Sequence, residues 1–185
     1  MKKIILAALV SGVMATSAFA ADNQGSGKVT FTGEIISAPC SISPESIDQT
    51  VPLGQIANSA LVGGGTSPAQ PFTIELEDCV LSSATQTVSV AFTGTSSAFD
   101  DGLLGITGLA INAPAENNVA IQINDSNGER IDINDVASQQ AVNTLQNGNN
   151  TLLYSAFVRG DTGATVENIP LGRFSGVTNF TLTYN

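Results

Sequence analysis

Carboxylates that lie close together in the sequence are the first residues that could do chemistry. Asp100 and Asp101 are adjacent, and Asp132 and Asp135 are three positions apart. Paired carboxylates carry out glycoside hydrolysis, but Asp100 and Asp101 lie in a glycine-rich loop, and adjacent side chains do not face each other. The sequence contains no histidine, which excludes the usual Ser-His-Asp and Cys-His arrangements. We therefore predict no catalytic residues and no enzyme activity.

The segment DSNGE at 125–129 offers oxygen atoms that could bind calcium. It lacks the twelve-residue ligand spacing of a calcium-binding loop. Its Asn-Gly pair tolerates the positive φ angles of a tight hairpin turn. We predict a hairpin turn here, with no metal site and no cofactor.

The N-terminus has the pattern of a secretory signal peptide. Lys2 and Lys3 precede an apolar run, and Ala18-Phe19-Ala20 supplies small residues at a cleavage site. A membrane anchor is the alternative, but the apolar run is too short and has no stop-transfer flank. We predict that residues 1–20 are removed after Ala20 and that the mature chain is secreted.

The two cysteines, Cys40 and Cys79, would then reach an oxidising compartment. We predict that they form one disulfide, which in the loop-entropy model contributes roughly 4 kcal/mol. A metal site would need further soft ligands, and the sequence offers none.

The charge balance excludes one class of partner. After removal of the signal peptide, four basic side chains remain against 16 acidic ones, a net charge of about −12. A nucleic-acid groove needs a basic stripe, so no nucleic-acid partner is expected. The acids are dispersed, as on a soluble, self-repelling surface.

Short alternating segments separated by turn residues predict an all-β sandwich. The expected strands are 28–36, 70–79, 87–94, 117–125, 151–160 and the C-terminal residues. Loops are predicted at 63–68 and 147–150. A short helical turn is expected near 54–62 or 134–141.

The last residues raise a question, because chain ends usually carry little apolar content. Phe180, Leu182 and Tyr184 alternate with polar residues and would share one face of a strand. On these residues alone, an ordinary edge strand of a closed sandwich remains open. The start of the mature chain, ADNQGSGK, is polar and glycine-rich, yet it continues without a breaker into KVTFTGEI.

Several features together resemble the chaperone–usher pilins, the type 1 and P-type fimbrial subunits of Gram-negative bacteria. They are the segment GKVTFTGEIISAPCSI at 27–42, the single cysteine pair, the penultimate Tyr184, and Gly172 in the fourteenth position from the C-terminus. The strand TLLYSAFVR at 151–159 is also pilin-like. The resemblance covers the whole mature chain.

The resemblance implies an incomplete immunoglobulin-like β-sandwich that lacks its final strand and is completed by a donor strand from a partner. Phe180, Leu182, Tyr184 and Gly172 would line the resulting groove and bind a chaperone. Residues 21–33 would be the N-terminal donor-strand extension, and residues 34–185 the pilin domain. The inward-facing donor residues would be Gly25, Gly27, Val29 and Phe31, with Gly27 at a tight site. From the residues alone, Gly172 as a turn glycine, Tyr184 as a packing residue and Gly27 as a linker glycine remain open.

The function that the resemblance implies is structural. The chain would polymerise head to tail by donor-strand exchange into an extracellular fimbrium, or pilus, used in cell adhesion. Its expected partners are copies of itself, other pilins, a periplasmic chaperone and an outer-membrane usher. A minor adaptor pilin or a glycan-binding fimbrial subunit is the alternative, but the chain has no tryptophan to stack on sugars and room for only one domain.

Overall fold

Two antiparallel β-sheets build the body of the chain, in a computed structural model that describes residues 27–83, 86–109, 118–137 and 140–185. Residues up to Ile36 and residues Ser37–Asn185 form separate units. The strands of the second unit are β1 (Ser41–Ile42), β2 (Gln70–Cys79), β3 (Thr87–Gly94), β4 (Val119–Asn124), β5 (Arg130–Ile131), β6 (Asn143–Thr144), β7 (Gly148–Gly160) and β8 (Thr178–Tyr184). The larger sheet has the strand order β1-β2-β7-β4-β5, and the smaller sheet has the order β6-β3-β8. Both sheets are antiparallel throughout, as predicted for an all-β sandwich.

Helical structure is limited to two short pieces in the described part of the chain. The helix α1 spans Pro44–Ile47, and a 3-10 helix spans Asn58–Gly64. The second overlaps the helical turn expected near 54–62. The alternative position, 134–141, has no helix in its described residues, where Asn134 adopts a positive φ of 64°. No helix among the described residues is long and apolar enough to cross a membrane.

The alternating residues of the long strands form the core, because successive side chains point to opposite faces of a sheet. The predicted inward residues of β3 and β7 are all buried: Val88, Val90, Phe92, Leu152, Tyr154, Ala156 and Val158. The predicted bounds of β2 and β3 match the structure. Ile74 and Leu76 of β2 are fully buried, and Phe72 packs against the core.

Three aromatic rings link the two sheets. Phe72 and Tyr154 lie in neighbouring strands of the larger sheet, with ring centroids 5.4 Å apart. Phe92 of the smaller sheet meets Tyr154 edge to face at 5.5 Å and Phe72 at 6.2 Å. These separations suit the aromatic quadrupole, so the cluster fixes how the sheets face each other.

Two of the sequence predictions about strands and loops are wrong. Residues 147–150 were expected as a loop, but β7 begins at Gly148, which pairs with Cys79 across a register shift. Gly148 has a φ of 90°. Its positive φ is typical of a turn, but here it occurs in a strand, opposite an irregularity in the pairing of β2 with β7. Residues 28–36 were expected as a strand, but they form none. An extended segment joins a sheet only when its backbone finds a partner strand, and the described residues of this unit pair with none.

The predicted disulfide is present. It joins Cys40, just before β1, to Cys79 at the end of β2. The backbone N–H of Val80 also donates to the carbonyl of Pro39 at 2.8 Å. Together these bonds hold the two-residue edge strand β1 against β2.

Candidate functional site

The strand β8 lies at the edge of the smaller sheet and pairs with β3 alone in the described part of the chain. Its register places Tyr184 opposite Val88, Leu182 opposite Val90 and Phe180 opposite Phe92. The other edge of β8 faces no strand among the described residues. An open edge of this kind is a template on which another extended chain can pair.

The hydrogen-bond pattern shows which backbone groups point towards that open edge. Asn185 and Thr87 exchange two hydrogen bonds, of 2.9 and 3.0 Å. In an antiparallel pair, hydrogen-bonded and non-hydrogen-bonded residue pairs alternate. Thr183, Thr181 and Asn179 therefore turn their backbone groups towards β3. The N–H and C=O groups of Phe180, Leu182 and Tyr184 point away from β3, towards the open edge.

The inward side chains of β8 are covered on one side only. Phe180, Leu182 and Tyr184 pack against the core but remain half-buried. The residues directly opposite them on β3, Val88, Val90 and Phe92, are at most 2% exposed. Burial still raises the pKa of the Tyr184 phenol. The row on β8 therefore borders a gap in the core where further apolar side chains could be buried.

An apolar cleft precedes β8 in the chain and contains Gly172. Its lining includes Ile56, Leu61, Ile169 and Phe174. Gly172 is exposed and has a φ of 134°, a conformation that side chains rarely adopt. Phe174 also packs against the core, so the apolar surface continues from the cleft into the sandwich. Phe180, Leu182 and Tyr184 are not part of the lining of this cleft.

The predicted donor residues lie in the N-terminal unit. Val29 and Phe31 are 74% and 89% exposed, which is unusual for large apolar side chains. Gly27 is also exposed. Gly25 lies outside the described residues. Ile35, which shares the parity of Val29 and Phe31, is fully exposed as well.

The candidate carboxylates form a structural ion pair. Arg130 donates two hydrogen bonds to the Asp100 carboxylate, at 2.7 and 2.8 Å, and also contacts Asp132. The side-chain hydrogen bond from Arg130 is the main cause that lowers the pKa of Asp100. A general acid needs a raised pKa, so the geometry does not suit acid–base catalysis.

The segment 125–129 forms a hairpin turn, as predicted. The Asp125 carboxylate accepts hydrogen bonds from the backbone N–H groups of Asn127 and Glu129, at 2.9 and 2.8 Å. Gly128 adopts a φ of 82°. The Asp125 carboxylate is therefore engaged by hydrogen bonds within the turn. Among the described residues there is no group of three or more residues that could hold a metal ion.

Comparison with known proteins shows to which family the chain belongs. A family model described as "Fimbrial protein" matches residues 29–185. The chain belongs to the Fimbrial protein family. As a fimbrial subunit it is a structural protein that polymerises, and it is not an enzyme.

Curated relatives of this fimbrial subunit are similar over their full length. The Fimbria A protein of Serratia marcescens is 45% identical over 100% of this chain and 98% of its own. The Major MR/P fimbria protein of Proteus mirabilis is 41% identical over 99% of this chain and 97% of its own. These relatives identify the subunit as a fimbrial major subunit.

Two solved structures have the same fold as the fimbrial subunit. A chaperone–usher pilus, described in terms of rod uncoiling, has a TM-score of 0.71 and 36% identity over 88% of this chain and 97% of its own. The P pilus rod subunit PapA has a TM-score of 0.66 and 33% identity over 80% of this chain and 100% of its own. The fold is therefore the predicted incomplete immunoglobulin-like sandwich.

Sequence reasoning missed most of the apolar cleft that contains Gly172. Ile56 and Phe174 are isolated apolar residues without strand alternation, so periodicity gave no signal for them. Their half-buried positions against the core became visible only in the fold. In the sequence, only Gly172, two positions before Phe174, pointed to this region.

Proposed function

We propose that the fimbrial subunit polymerises by donor-strand exchange. Residues 21–33 of one copy add as a strand to the open edge of β8 in the next copy. The backbone groups of Phe180, Leu182 and Tyr184 hydrogen-bond to this donor. Strand addition at a sheet edge obtains affinity from such backbone bonds and specificity from alternate side chains.

The observation that carries this proposal is the uneven burial across the smaller sheet. The inward row of β3 is fully buried, whereas the paired row of β8 is half-exposed. The donor supplies the missing cover through Val29 and Phe31, which are themselves exposed. The apolar side chains of β8 and those of the donor are therefore buried against each other when the donor binds.

The energy of this step is large enough to hold a fibre together. Burying about four apolar side chains at roughly 1.5–3 kcal/mol each gives on the order of 10 kcal/mol before the cost of ordering the donor. The contact joins two different surfaces, and a head-to-tail contact that does not close generates a filament.

The small donor residues have a positional role in this proposal. Gly27 shares the parity of Val29 and enters a tight part of the groove, where a side chain would clash. Gly25 leaves the far end of the donor without a bulky side chain, so engagement there is weak. Gly172 and the cleft around it receive that far end.

The same edge binds a periplasmic chaperone before polymerisation. An uncovered groove exposes apolar surface and unpaired backbone groups, which lead to aggregation. A chaperone strand covers them after residues 1–20 have directed export. An outer-membrane usher then brings subunits together, and the product is a surface fimbrium of a Gram-negative bacterium used in adhesion.

A pair of substitutions tests the donor role. Phe31→Asp places a charge on the inward row of the donor, and Thr32→Asp places the same charge on the outward row. We expect Phe31→Asp to abolish fibres in electron micrographs, because burying the unpaired charge is costly. Thr32→Asp should leave fibre assembly intact.

The level of chaperone-bound subunit in the periplasm separates assembly from folding. Phe31→Asp should accumulate in this form at the level of the unmodified chain, because the donor does not contribute to its own sandwich. Fibres of normal length from Phe31→Asp would overturn the donor assignment.

A further inference from the structure

The smaller sheet has a second long edge besides that of β8. It lies on β3, because the two-residue strand β6 pairs with just Thr87 and Val88, and β3 continues beyond them to Gly94. Open sheet edges attract other strands, so native proteins protect the edges that must stay unpaired. We call this part of β3, from Ser89 to Gly94 on the side away from β8, the second edge.

The backbone groups of the second edge follow from the pairing of β3 with β8. Thr87 exchanges two hydrogen bonds with Asn185, so it turns its N–H and C=O groups towards β8. Because this direction alternates along an antiparallel strand, Phe92 and Gly94 turn their groups away from β8. An incoming strand could bond to these groups as it could to the open edge of β8.

Asn134 occupies the second edge. Its backbone N–H donates to the carbonyl of Phe92 at 2.8 Å. Its side-chain Oδ1 accepts a hydrogen bond from the N–H of Gly94 at 3.0 Å, and its Nδ2 donates to the carbonyl of Gly94 at 2.9 Å. The Nδ2 also donates to the Ser96 hydroxyl at 3.1 Å. One side-chain amide therefore makes the two bonds that a residue of a neighbouring strand would make with Gly94.

The backbone conformation explains why an asparagine suits this position. Asn134 has a φ of 64°, in the left-handed region that asparagine tolerates better than most residues with a side chain. Glycine would adopt the same φ but has no amide. The preceding Ile133 is buried, and its N–H donates to the carbonyl of Gly102 at 3.1 Å. The buried neighbour thus holds the amide of Asn134 at the second edge.

We propose that Asn134 is a specificity-determining residue for strand addition. Its amide closes the second edge, so that a donor strand can pair with the smaller sheet at β8 alone. The proposal rests on the proposed function, because it concerns where the donor strand of that function adds. A subunit with one acceptor edge takes one donor and extends an unbranched fibre. A subunit with two acceptor edges would take a second donor from another copy, and its fibres would branch.

Assembled fibres allow the second edge to be tested by itself, because the β8 edges inside a fibre are already occupied. A labelled peptide of residues 21–33 is added to fibres of the full chain, and the bound peptide per subunit is measured after washing. Asn134→Gly keeps the positive φ and removes the amide. Asn127→Gly is the matched control, because the amide of Asn127 is exposed and bonds to Asp125 within the hairpin.

We expect fibres of the unmodified chain and of Asn127→Gly to bind the peptide only at their ends. Fibres of Asn134→Gly should bind several-fold more peptide, distributed along their length, and should branch in electron micrographs. Hydrogen exchange at the N–H of Gly94 should also be faster in this variant, because Oδ1 of Asn134 no longer accepts its hydrogen bond. A loss of stability alone would not create new binding sites for the peptide.

Asn134→Asp is a second variant that keeps one acceptor oxygen at the second edge. Its other oxygen faces the carbonyl of Gly94, where two acceptors repel each other, so its fibres should bind an intermediate amount of peptide. It also replaces Asn134→Gly if that variant forms no fibres.

Peptide binding by the Asn134 variants at the level of Asn127→Gly would overturn the proposal. Failure of donor-strand exchange is a different result, since fibres would then form from a chain that lacks residues 21–33, whatever residue stands at position 134.

Discussion

At the scale of single residues, Arg130 determines the role of the carboxylates around it. Its guanidinium lies between Asp100 and Asp132, and the side chains of the Asp100 pair are each about one-third exposed. Because water screens such a pair, its contribution to stability is about 1 kcal/mol or less. Sequence spacing suggested paired carboxylates but gave no indication of the arginine, which is 30 residues from Asp100.

The Arg130 ion pair predicts a specific dependence of stability on pH. Arg130 lowers the pKa of Asp100 below its ordinary value of 3.8. The resulting stabilisation is present above that ordinary value and disappears as the pH falls through the lowered pKa of the folded state. We expect Arg130→Met to reduce the free energy of unfolding by about 1 kcal/mol or less at pH 7, and by less at strongly acidic pH.

Urea unfolding of the chaperone-free subunit, completed by a donor peptide, measures this difference. Arg173→Met, at an exposed arginine, is the control and should not show the same pH dependence. An Arg130→Met effect of equal size at neutral and strongly acidic pH would contradict the role of Asp100.

At the scale of elements, the strands that alternate between buried and exposed residues could be predicted from the sequence. β2, β3 and the row of Leu152, Tyr154, Ala156 and Val158 in β7 followed from period two alone. The two-residue strands β1, β5 and β6 are too short to show any period. The segment 28–36 has the pattern of a strand but pairs with no strand among the described residues of its own unit. A sequence pattern cannot specify where a partner strand comes from.

Among the bonds that hold secondary-structure elements together, we expect the disulfide to contribute most to stability. β1 pairs with β2 through only two residues, and Cys40 precedes it directly. Replacing both Cys40 and Cys79 by serine should cost about 2–5 kcal/mol of stability, because the unfolded chain regains the freedom of a loop.

Denaturant unfolding of the donor-completed subunit measures this cost, with the reduced unmodified chain as the reference. The double serine variant should unfold at the same denaturant concentration as that reduced chain. A double variant as stable as the oxidised chain would show that the β1–β2 contacts are sufficient without the bond.

At the scale of the whole molecule, the subunit is an incomplete sandwich. The predicted fold class and the edge position of β8 followed from the sequence and its resemblance to pilins. The cleft at Ile56 and Phe174 could not be predicted, because it is assembled from residues far apart in the chain.

Because the sandwich of the subunit is incomplete, we predict that a peptide can complete it. A peptide of residues 21–33 should bind a chain that lacks these residues and raise its stability, because a ligand that binds only the folded state stabilises it. At 100 times its dissociation constant the gain is about 2.7 kcal/mol. The thermal midpoint with and without peptide measures this gain.

A peptide with Phe31→Asp is the matched control and should give a much smaller shift. Equal shifts with both peptides would mean that the apolar row of the donor does not enter the sandwich. No shift with either peptide would contradict strand addition at β8.

The paired hydrogen bonds between Asn185 and Thr87 have a practical consequence for labelling the fimbria. A reporter sequence fused behind Asn185 would extend β8 along the sheet edge and compete with the incoming strand. The hairpin around Ser126 is exposed and forms its own closed turn. Dyes and foreign epitopes should therefore be inserted at that hairpin.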